Sequence, residues 1–381
     1  MIYLDNAATS SPKPQCVLDA VLRAMTEINA NPGRGGHARS LAAGREVLAC
    51  REALSALLNA RDPTEILMQF NCTDALNLAI KGCLRRGDHV ISTYLEHNSV
   101  LRVLMGLEKR GQISVTLLRP REEGMIDPEE IRRAITPRTR LLVLTHASNV
   151  TGAIQPVAAA GEIAREAGLL YLIDGAQALG CMPVDVEKLG CHMYAFPGHK
   201  GLLGPQGTGG LYLKSGVVLR PLREGGTGSS SESMVQPEEL PERYESGTLN
   251  YHGVAGLNAG VRYVAGRLSQ ILSHERELTT ALYQGLSALP QVTVYSPAAE
   301  AGRAGIVSFN LNDLGSSEVA DAYNRRGIAV RSGLHCAPGA HRFLGTLRRG
   351  AVRASIGYDN SFEEVEAFLR ATREILRGDP A

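Results

Sequence analysis

The stretch Leu169-Leu170-Tyr171-Leu172-Ile173-Asp174-Gly175-Ala176-Gln177 decides the fold of this chain. Its first five residues form a short, continuous apolar run, which is typical of a strand buried on both faces of a sheet. Comparable runs occur at residues 65–70, 89–93, 114–118, 141–145, 169–173, 193–196 and 210–213. Amphipathic stretches such as 74–84 and 157–167 lie between them and predict helices. The alternation predicts an α/β fold with a mainly parallel, seven-stranded central sheet flanked by helices.

The remainder of the chain predicts a smaller α+β domain. Residues 216–248 are rich in Gly, Ser and Glu and indicate a long functional loop, and a long helical tract is expected over 253–289. Further strands are expected at 292–295, 305–310, 328–331 and 351–355. The last helix is expected to begin after Ser361, which forms a capping box with Glu364. We therefore predict a large domain over 14–255 and a small domain formed by 1–13 and 256–381.

Composition and charge exclude several classes of protein. The 381 residues contain 40 Lys plus Arg and 39 Asp plus Glu, so neither nucleic acid nor an anionic membrane is expected as a partner. No apolar run has the length of a transmembrane helix, and the first residues lack the features of a signal peptide. Seven cysteines without a C-x-x-C pair argue against a disulfide framework. A cytoplasmic location is the expectation.

Polar clusters follow five of the predicted strands, at the point where each strand ends. Since ligands of open α/β sheets bind beyond the carboxyl ends of the strands, these clusters are expected to form one site. Alone, each has an ordinary explanation: Asp174 as a turn residue, His97 as a core histidine, Lys200 as a surface lysine. The clusters are Asn71-Cys72-Thr73-Asp74, Tyr94-Leu95-Glu96-His97, His146-Ala147-Ser148-Asn149, Asp174-Gly175-Ala176-Gln177 and Pro197-Gly198-His199-Lys200-Gly201.

One cofactor explains the residue types in these clusters. Pyridoxal 5'-phosphate (PLP) needs a lysine for a Schiff base, an acidic partner for its pyridine nitrogen and a cradle for its phosphate. Lys200 and Asp174 supply the first two, and Thr73 at a helix N-terminus supplies the third. Gln177 is within reach of the ring hydroxyl, and His97 is suited to stack on the ring and move protons. Motifs for nucleotide phosphates, dinucleotides or a catalytic zinc are absent from the sequence.

At these residues the sequence resembles the class V aminotransferase-fold PLP enzymes, and specifically the cysteine desulfurases. The resemblance runs from residue 1 to about residue 370, and it implies PLP-dependent fold type I. The motifs that carry it, in order, are Tyr3-Leu4-Asp5-Asn6-Ala7-Ala8-Thr9, Asn31-Pro32-Gly33-Arg34-Gly35-Gly36-His37, Glu96-His97-Asn98, Ser148-Asn149-Val150-Thr151-Gly152, Asp174-Gly175-Ala176-Gln177, Gly198-His199-Lys200, Glu245-Ser246-Gly247-Thr248 and Arg331-Ser332-Gly333-Leu334-His335-Cys336.

The resemblance implies a role for each matched residue. Lys200 would hold the cofactor and move the Cα proton, with His97 stacked on the ring. The residues expected to bind the cofactor are Lys200, Asp174, Gln177, His97, Cys72, Thr73, His199, Asn149 and Thr248, the last reaching the phosphate in a second subunit. The residues expected to bind the substrate are Arg353, as the main carboxylate anchor, with Asn149, His37 and Arg331.

Two positions depart from the family pattern. Pro197 stands before Gly198, where the family usually has a hydroxyl residue, and it offers neither hydroxyl nor N–H. Cys72 stands where a small or hydroxyl residue is common. Both departures predict a weaker phosphate cradle.

Cys336 is the expected nucleophile, with Lys200 and His97 the other catalytic residues. Its thiolate would take sulfur from L-cysteine, leaving L-alanine and a persulfide for an acceptor thiol. His335 and Arg331 are expected to lower the pKa of Cys336, and Gly333 and Gly339 to let its loop move. A metal site from His335, Cys336 and His341 lacks tetrahedral ligand spacing, so no metal is expected.

Several alternatives stay open from the sequence. The seventeen positions from Cys336 to Arg353 resemble the type II, SufS-like subgroup, in which a dedicated acceptor protein would approach a compact loop. The expected role of Thr248 implies a homodimer. Selenocysteine lyase, another class V lyase or aminotransferase, and a non-catalytic sulfur-relay or scaffold protein are the rival functions. The acceptor itself, whether a sulfur carrier, a scaffold for iron–sulfur cluster assembly or a tRNA-modifying enzyme, is not specified.

Overall fold

A seven-stranded sheet forms the centre of the larger part of the chain. The structure is a computed structural model that describes residues 1–33, 35–122, 124–229, 231–298 and 302–379. The strand order is β2-β8-β7-β6-β5-β3-β4, and only β8 runs antiparallel to its neighbours. The predicted α/β class and mainly parallel seven-stranded sheet are therefore confirmed. The strands are β2 (Ile66–Gln69), β3 (His89–Thr93), β4 (Ser114–Leu118), β5 (Thr139–Thr145), β6 (Leu170–Asp174), β7 (Met193–Pro197) and β8 (Gly209–Leu213).

The continuous apolar runs are explained by burial on both faces of this sheet. Alternate residues of a strand point to opposite faces. In β5, Leu142 and Leu144 belong to one hydrophobic cluster, whereas Leu141 and Val143 belong to another. Because both faces are covered, every position of β5 from Leu141 to Leu144 is apolar and buried.

Helices cover each face of the large sheet. Residues of α2, α6 and α8 join the first cluster, and residues of α3 and α4 join the second. The helices of this part are α1 (Gln15–Arg23), α2 (Ala38–Leu58), α3 (Cys72–Cys83), α4 (Asn98–Lys109), α5 (Pro128–Ala134), α6 (Val157–Glu166), α7 (Val186–Leu189) and α8 (Tyr251–Ala265). A π-helix (Ala24–Ile28) and two 3-10 helices (Pro63–Glu65 and Glu242–Tyr244) complete it.

A second, smaller core contains two further sheets. A four-stranded antiparallel sheet has the order β12-β13-β10-β9, and β1 pairs with β11 in parallel. Phe309, Tyr323 and Phe368 pack their rings together in its core. Its elements are β1 (Ile2–Tyr3), α9 (Leu268–Ser287), β9 (Val292–Val294), β10 (Ile306–Leu311), α10 (Ser316–Arg325), β11 (Ile328–Ala329), β12 (Arg331–Gly333), α11 (Pro338–Phe343), β13 (Ala351–Ser355) and α12 (Phe362–Arg377).

Some elements differ from the sequence-based expectations. The helical tract expected over 253–289 is two helices, α8 and α9, with the break at Gly266 and Arg267. The strand expected over 328–331 is divided between two sheets, as β11 and β12. The capping box at Ser361 is confirmed. The predicted division between residues 255 and 256 falls inside α8, and the domain limits stay a prediction. No helix in the described ranges is long and apolar enough to cross a membrane.

Candidate active site

A cavity of about 230 Å³ lies where the carboxyl ends of the large sheet meet the small sheet. All five polar clusters predicted at the strand ends contribute to it, together with residues of the small sheet. Ten of the predicted site residues line this cavity: Cys72, Thr73, His97, Asn149, Asp174, Gln177, His199, Lys200, Arg331 and Arg353.

Lys200 and Asp174 are two titratable residues that line the cavity. Burial lowers the pKa of the Lys200 amine, and the nearby Arg353 adds to this effect. Burial raises the pKa of Asp174, while the N–H of Ala176, which donates to Asp174 Oδ1 at 3.0 Å, opposes the rise. The Cys72 thiol lies 3.7 Å from the same oxygen. The site therefore holds a lysine biased toward its neutral form beside a carboxyl that a cation would stabilise.

His97 is a neutral, oriented histidine. Burial, together with the charges of Lys200 and Arg331, lowers its pKa to about 4. Its Nδ1 accepts a hydrogen bond from the backbone N–H of Ser99 at 3.1 Å. The single proton of the neutral ring is therefore on Nε2.

The N-terminus of α3 has the features of an anion site. Its N-cap is Asn71, whose Oδ1 accepts from the Asp74 N–H at 2.9 Å. Thr73 is the second residue of α3, two positions after the N-cap. The first N–H groups of α3 face the cavity edge with Cys72 and Thr73 among its lining residues. Within the described part of the chain, the buried Nδ1 of His199 has no hydrogen-bond partner.

Arg353 is held at the small-sheet side of the cavity. The residue is 1 % exposed. Its guanidinium donates one hydrogen bond from Nη1 to the Asn149 carbonyl at 2.9 Å and another from Nη2 to Asp5 Oδ1 at 2.9 Å. Its Nε is buried and has no partner in the ranges that the structure describes. A buried guanidinium with unused donors is suited to bind a carboxylate.

The cysteine loop, residues 334–337, joins β12 to α11 beside the cavity. Cys336 is exposed. Its carbonyl accepts from the Asn98 N–H at 2.7 Å, and the His335 carbonyl accepts from the Asn149 side chain at 2.7 Å. His335 and Cys336 have φ values of 49° and 56°, an uncommon conformation for residues with a side chain. Hydrogen bonds to the start of α4 and to the turn after β5 therefore hold a strained loop in place.

The two glycines that flank this loop have different roles. Gly333 has a φ of 100°, a conformation that favours glycine, and it is the last residue of β12, where it pairs with Ala351. The expectation that it lets the loop move stays a prediction. Gly339 lies against the backbone of Tyr94, where a Cβ would overlap the carbonyl oxygen and approach the carbonyl carbon to 3.1 Å. The expectation that Gly339 lets the loop move is therefore wrong, since this glycine serves close packing.

His335 belongs to a buried chain of hydrogen bonds behind the loop. Its Nε2 lies 3.4 Å from the Arg331 carbonyl, its Nδ1 lies 3.3 Å from His341 Nε2, and His341 Nδ1 lies 2.8 Å from Thr346 Oγ1. A carbonyl only accepts, so His335 Nε2 carries the proton, His341 Nε2 donates to His335, and Thr346 donates to His341.

Both histidines are neutral. Burial lowers the pKa of His335 to about 3 and that of His341 to about 4. The expectation that His335 acts on Cys336 as a positive neighbour is therefore wrong. No group of three or more potential metal ligands occurs in the described residues.

Three predicted residues are not among those that line the cavity: Cys336 on the loop beside it, His37 and Thr248. His37 is exposed and caps α2, where its Nδ1 accepts from the Ser40 N–H at 3.3 Å. Thr248 is exposed in the loop before α8. Arg34, which belongs to one of the motifs, lies outside the described residues.

Sequence reasoning missed three residues that support the site. Asp5 pairs with Arg353, Ser99 fixes the ring of His97, and Asn71 caps α3. An asparagine three residues before Asp74 at a helix start is a recognisable N-cap signal. Ser99 lies two residues after His97 and makes a local capping contact, whereas the Asp5 ion pair joins residues 348 positions apart.

The comparisons with known proteins agree with this geometry. The aminotransferase class-V family model matches residues 2–368. A probable cysteine desulfurase from Methanothermobacter thermautotrophicus is 38% identical, with 98% of this chain and 94% of that protein covered. The apo structure of the cysteine desulfurase from Thermococcus onnurineus has a TM-score of 0.93 at 35% identity, covering 99% and 95% of the two chains. The cysteine desulfurase CsdA from Escherichia coli has a TM-score of 0.89 at 30% identity, with the same coverage. This chain therefore belongs to the aminotransferase class V family.

Proposed function

We propose that this chain is a PLP-dependent cysteine desulfurase, which converts L-cysteine to L-alanine and holds the sulfur as a persulfide on Cys336. One observation carries the proposal: a single cavity is lined by a lysine, a buried aspartate and a buried arginine, with an exposed thiol on the loop beside it. A transaminase needs the first three groups but has no use for the thiol.

The residues of the cavity fit PLP. The unpartnered, buried His199 Nδ1 and the free N–H groups at the start of α3 suit a phosphate, and Asp174 suits a cationic ring nitrogen. Lys200 would hold the cofactor, with Gln177, Asn149 and His97 around the ring and Thr248 of a second subunit at the phosphate. When bound, PLP supplies an electron-withdrawing ring that weakens bonds at the α-carbon of an attached amino acid.

Other side chains of the cavity would bind the substrate carboxylate and transfer protons. Arg353, with Asn149 and Arg331, would bind the substrate carboxylate through charge-assisted hydrogen bonds. Because burial lowers the pKa of Lys200, its neutral amine can accept the proton of the substrate Cα and return a proton to carbon. His97, with its proton on Nε2, can hold or donate a proton on the ring face.

Cys336 would perform the sulfur transfer. Its thiolate attacks the substrate sulfur, so that the Cβ–S bond breaks, a new S–S bond forms and the carbon receives a proton. The sum is L-cysteine plus the Cys336 thiol giving L-alanine plus the Cys336 persulfide, with atoms and electrons balanced. No external oxidant enters this step.

The partners expected from the sequence are part of the proposal. A homodimer would give Thr248 and His37, both exposed in one chain, a second surface to contact. Exposed Leu18, Leu22 and Met25 on the first two helical segments support such a contact. A protein acceptor would remove the sulfur, with iron–sulfur cluster assembly as one use, and the cytoplasmic location stays a prediction.

The test is turnover of L-cysteine by the holoenzyme and by Cys336→Ser. Wild type should form alanine and carry 32 Da (about one sulfur atom) on the Cys336 peptide, and Cys336→Ser should lose both by a factor of about 100 or more. Cys16→Ser, which changes another exposed cysteine, is the matched control and should retain full activity. Normal alanine and sulfide formation by Cys336→Ser would contradict the role of Cys336.

A second measurement separates an enzyme from a non-catalytic scaffold. Lys200→Ala should lose the visible absorbance of the lysine-bound cofactor as well as alanine formation. If Lys200→Ala keeps the spectrum and behaviour of the wild type, the catalytic proposal is wrong. L-selenocysteine as a parallel substrate distinguishes a selenocysteine lyase.

A further inference from the structure

The sequence around the cysteine loop has an unusual distribution of charge. The whole chain is balanced, with 40 basic and 39 acidic residues, yet between Asp321 and Asp359 there are seven arginines and no aspartate, glutamate or lysine. The charge of this segment is therefore of one sign, and Cys336 lies near its centre.

The structure separates the arginines that already have a partner from those that do not. Arg325 and Arg326 pair with Asp321 and Glu374. Arg349 donates to the Asn312 carbonyl, and Arg353 is buried in the cavity. Arg342, on α11 directly after the loop, is exposed and has no acidic partner among the described residues.

Two arginines from the large part of the chain add to the same surface. The Cys336 carbonyl accepts a hydrogen bond from Asn98 at the start of α4. Arg102, one turn further along α4, is exposed and contributes to the positive potential at His97. Gly339 packs on Tyr94, and the exposed Arg119 lies 5.9 Å from the ring centroid of Tyr94.

We define Arg102, Arg119 and Arg342 as the arginine rim of the cysteine loop. In the part of the chain that the structure describes, none of the three forms an ion pair, whereas exposed arginines elsewhere, such as Arg61 and Arg132, do. Partly exposed Leu334 precedes His335 on the loop and offers an apolar contact beside the thiol.

We propose that the arginine rim is the docking surface for an acidic sulfur acceptor, a protein whose accepting cysteine is flanked by aspartate or glutamate. The proposal rests on the proposed function of Cys336 and specifies the chemistry of its partner. Opposite charges around two reacting thiols raise the association rate by about 10- to 1,000-fold at low ionic strength.

The transfer itself is balanced without a further reagent. The acceptor thiolate attacks the terminal sulfur of the Cys336 persulfide, the existing S–S bond breaks and a new S–S bond forms on the acceptor. Cys336 leaves as a thiolate. A positive rim favours this exchange, because both the attacking and the leaving sulfur are anionic.

The test uses peptides that carry one cysteine, activated as a mixed disulfide with 2-thiopyridine, with either glutamate or glutamine on both sides. Cys336 attacks the peptide sulfur and thiopyridone leaves, and mass spectrometry of the Cys336 fragment gives the rate. This readout requires neither turnover nor a persulfide. Alanine formation with dithiothreitol, measured in the same holoenzyme, reports on the proposed function separately.

At about 0.05 M salt the acidic peptide should react about tenfold faster than the neutral peptide, and at about 0.5 M this advantage should fall below about threefold. Arg102→Gln, Arg119→Gln and Arg342→Gln together should slow the acidic peptide by about tenfold and the neutral peptide by less than twofold. The control, Arg370→Gln with Arg373→Gln on α12, removes exposed charge outside the rim and should change neither rate. Equal rates for the two peptides at low salt, or equal losses in the rim and control variants, would overturn the proposal.

Discussion

Glu96 allows a quantitative prediction about stability and pH. The residue precedes His97 and is fully buried. Its Oε1 accepts from Thr93 Oγ1 at 2.8 Å and from the Thr145 N–H at 3.0 Å, while Oε2 has no partner in the described ranges. Burial, with a smaller contribution from the charge of Asp174, raises its pKa from the ordinary 4.5 to about 8.

The sign of the pH effect follows from these two values. Between pH 4.5 and about 8 the unfolded chain has lost this proton while the folded protein keeps it, so the folded protein loses stability as pH rises. The slope for one proton is about 1.4 kcal/mol per pH unit. From pH 5 to pH 8 the wild type should lose about 4 kcal/mol through this one group.

Glu96→Gln removes that loss, because an amide has no proton to release and keeps an acceptor for Thr93 and Thr145. The measurement is urea unfolding of both proteins at half-unit steps from pH 5 to pH 8.5, taken as a difference so that other titrating groups cancel. The unfolding free energy of the variant should rise relative to that of wild type by about 1.4 kcal/mol per pH unit, and the difference should level off near pH 8. A difference that stays constant across this range would refute the reasoning, since it would mean that Glu96 is ionised in the folded protein.

Three further predictions concern the cysteine loop and the substrate arginine. Gly339→Ala should lower the unfolding free energy by about 1–3 kcal/mol, because the new Cβ would displace α11 from Tyr94. The same displacement should slow modification of the loop thiol, and unchanged kinetics of its reaction with iodoacetamide would contradict this prediction. Asp5→Ala should raise KM for L-cysteine about tenfold by freeing Arg353, and Asp5→Asn, which keeps an acceptor, should raise it by less than threefold; equal KM values in both variants would show that Asp5 does not position the arginine. His341→Phe should cost about 1–3 kcal/mol in urea unfolding, because it leaves two buried hydrogen-bond partners unsatisfied; a loss below about 0.5 kcal/mol would argue against the directed chain.

The large sheet could be predicted because its physical signal is local. Strands buried on both faces, such as β5 and β6, contain continuous apolar runs. β3 and β4 begin and end at the predicted residues, although β3 contains the buried polar residues His89, Ser92 and Thr93. The strand ends carry the polar clusters, so the cavity could be expected from the sequence as well. The identity of the family then follows from those same residues.

Other features depend on contacts between distant residues. Asp5 and Arg353 are 348 positions apart, and no residue near either of them in the sequence indicates that they form an ion pair. In the sequence, Gly339 cannot be distinguished from a glycine of a mobile loop. The position of the Tyr94 carbonyl in the structure shows that it serves close packing. The neutral state of His335 likewise follows from its burial, and its position beside a cysteine in the sequence does not indicate that burial.

The two hydrogen bonds that hold the cysteine loop have a mechanical consequence. The loop is joined covalently to the small sheet, but Asn98 at the start of α4 and Asn149 in the turn after β5 attach it to the larger part of the chain. A relative rotation of the two parts therefore cannot carry the thiol away from the cavity until both bonds break. Breaking them releases the backbone of residues 335 and 336 together.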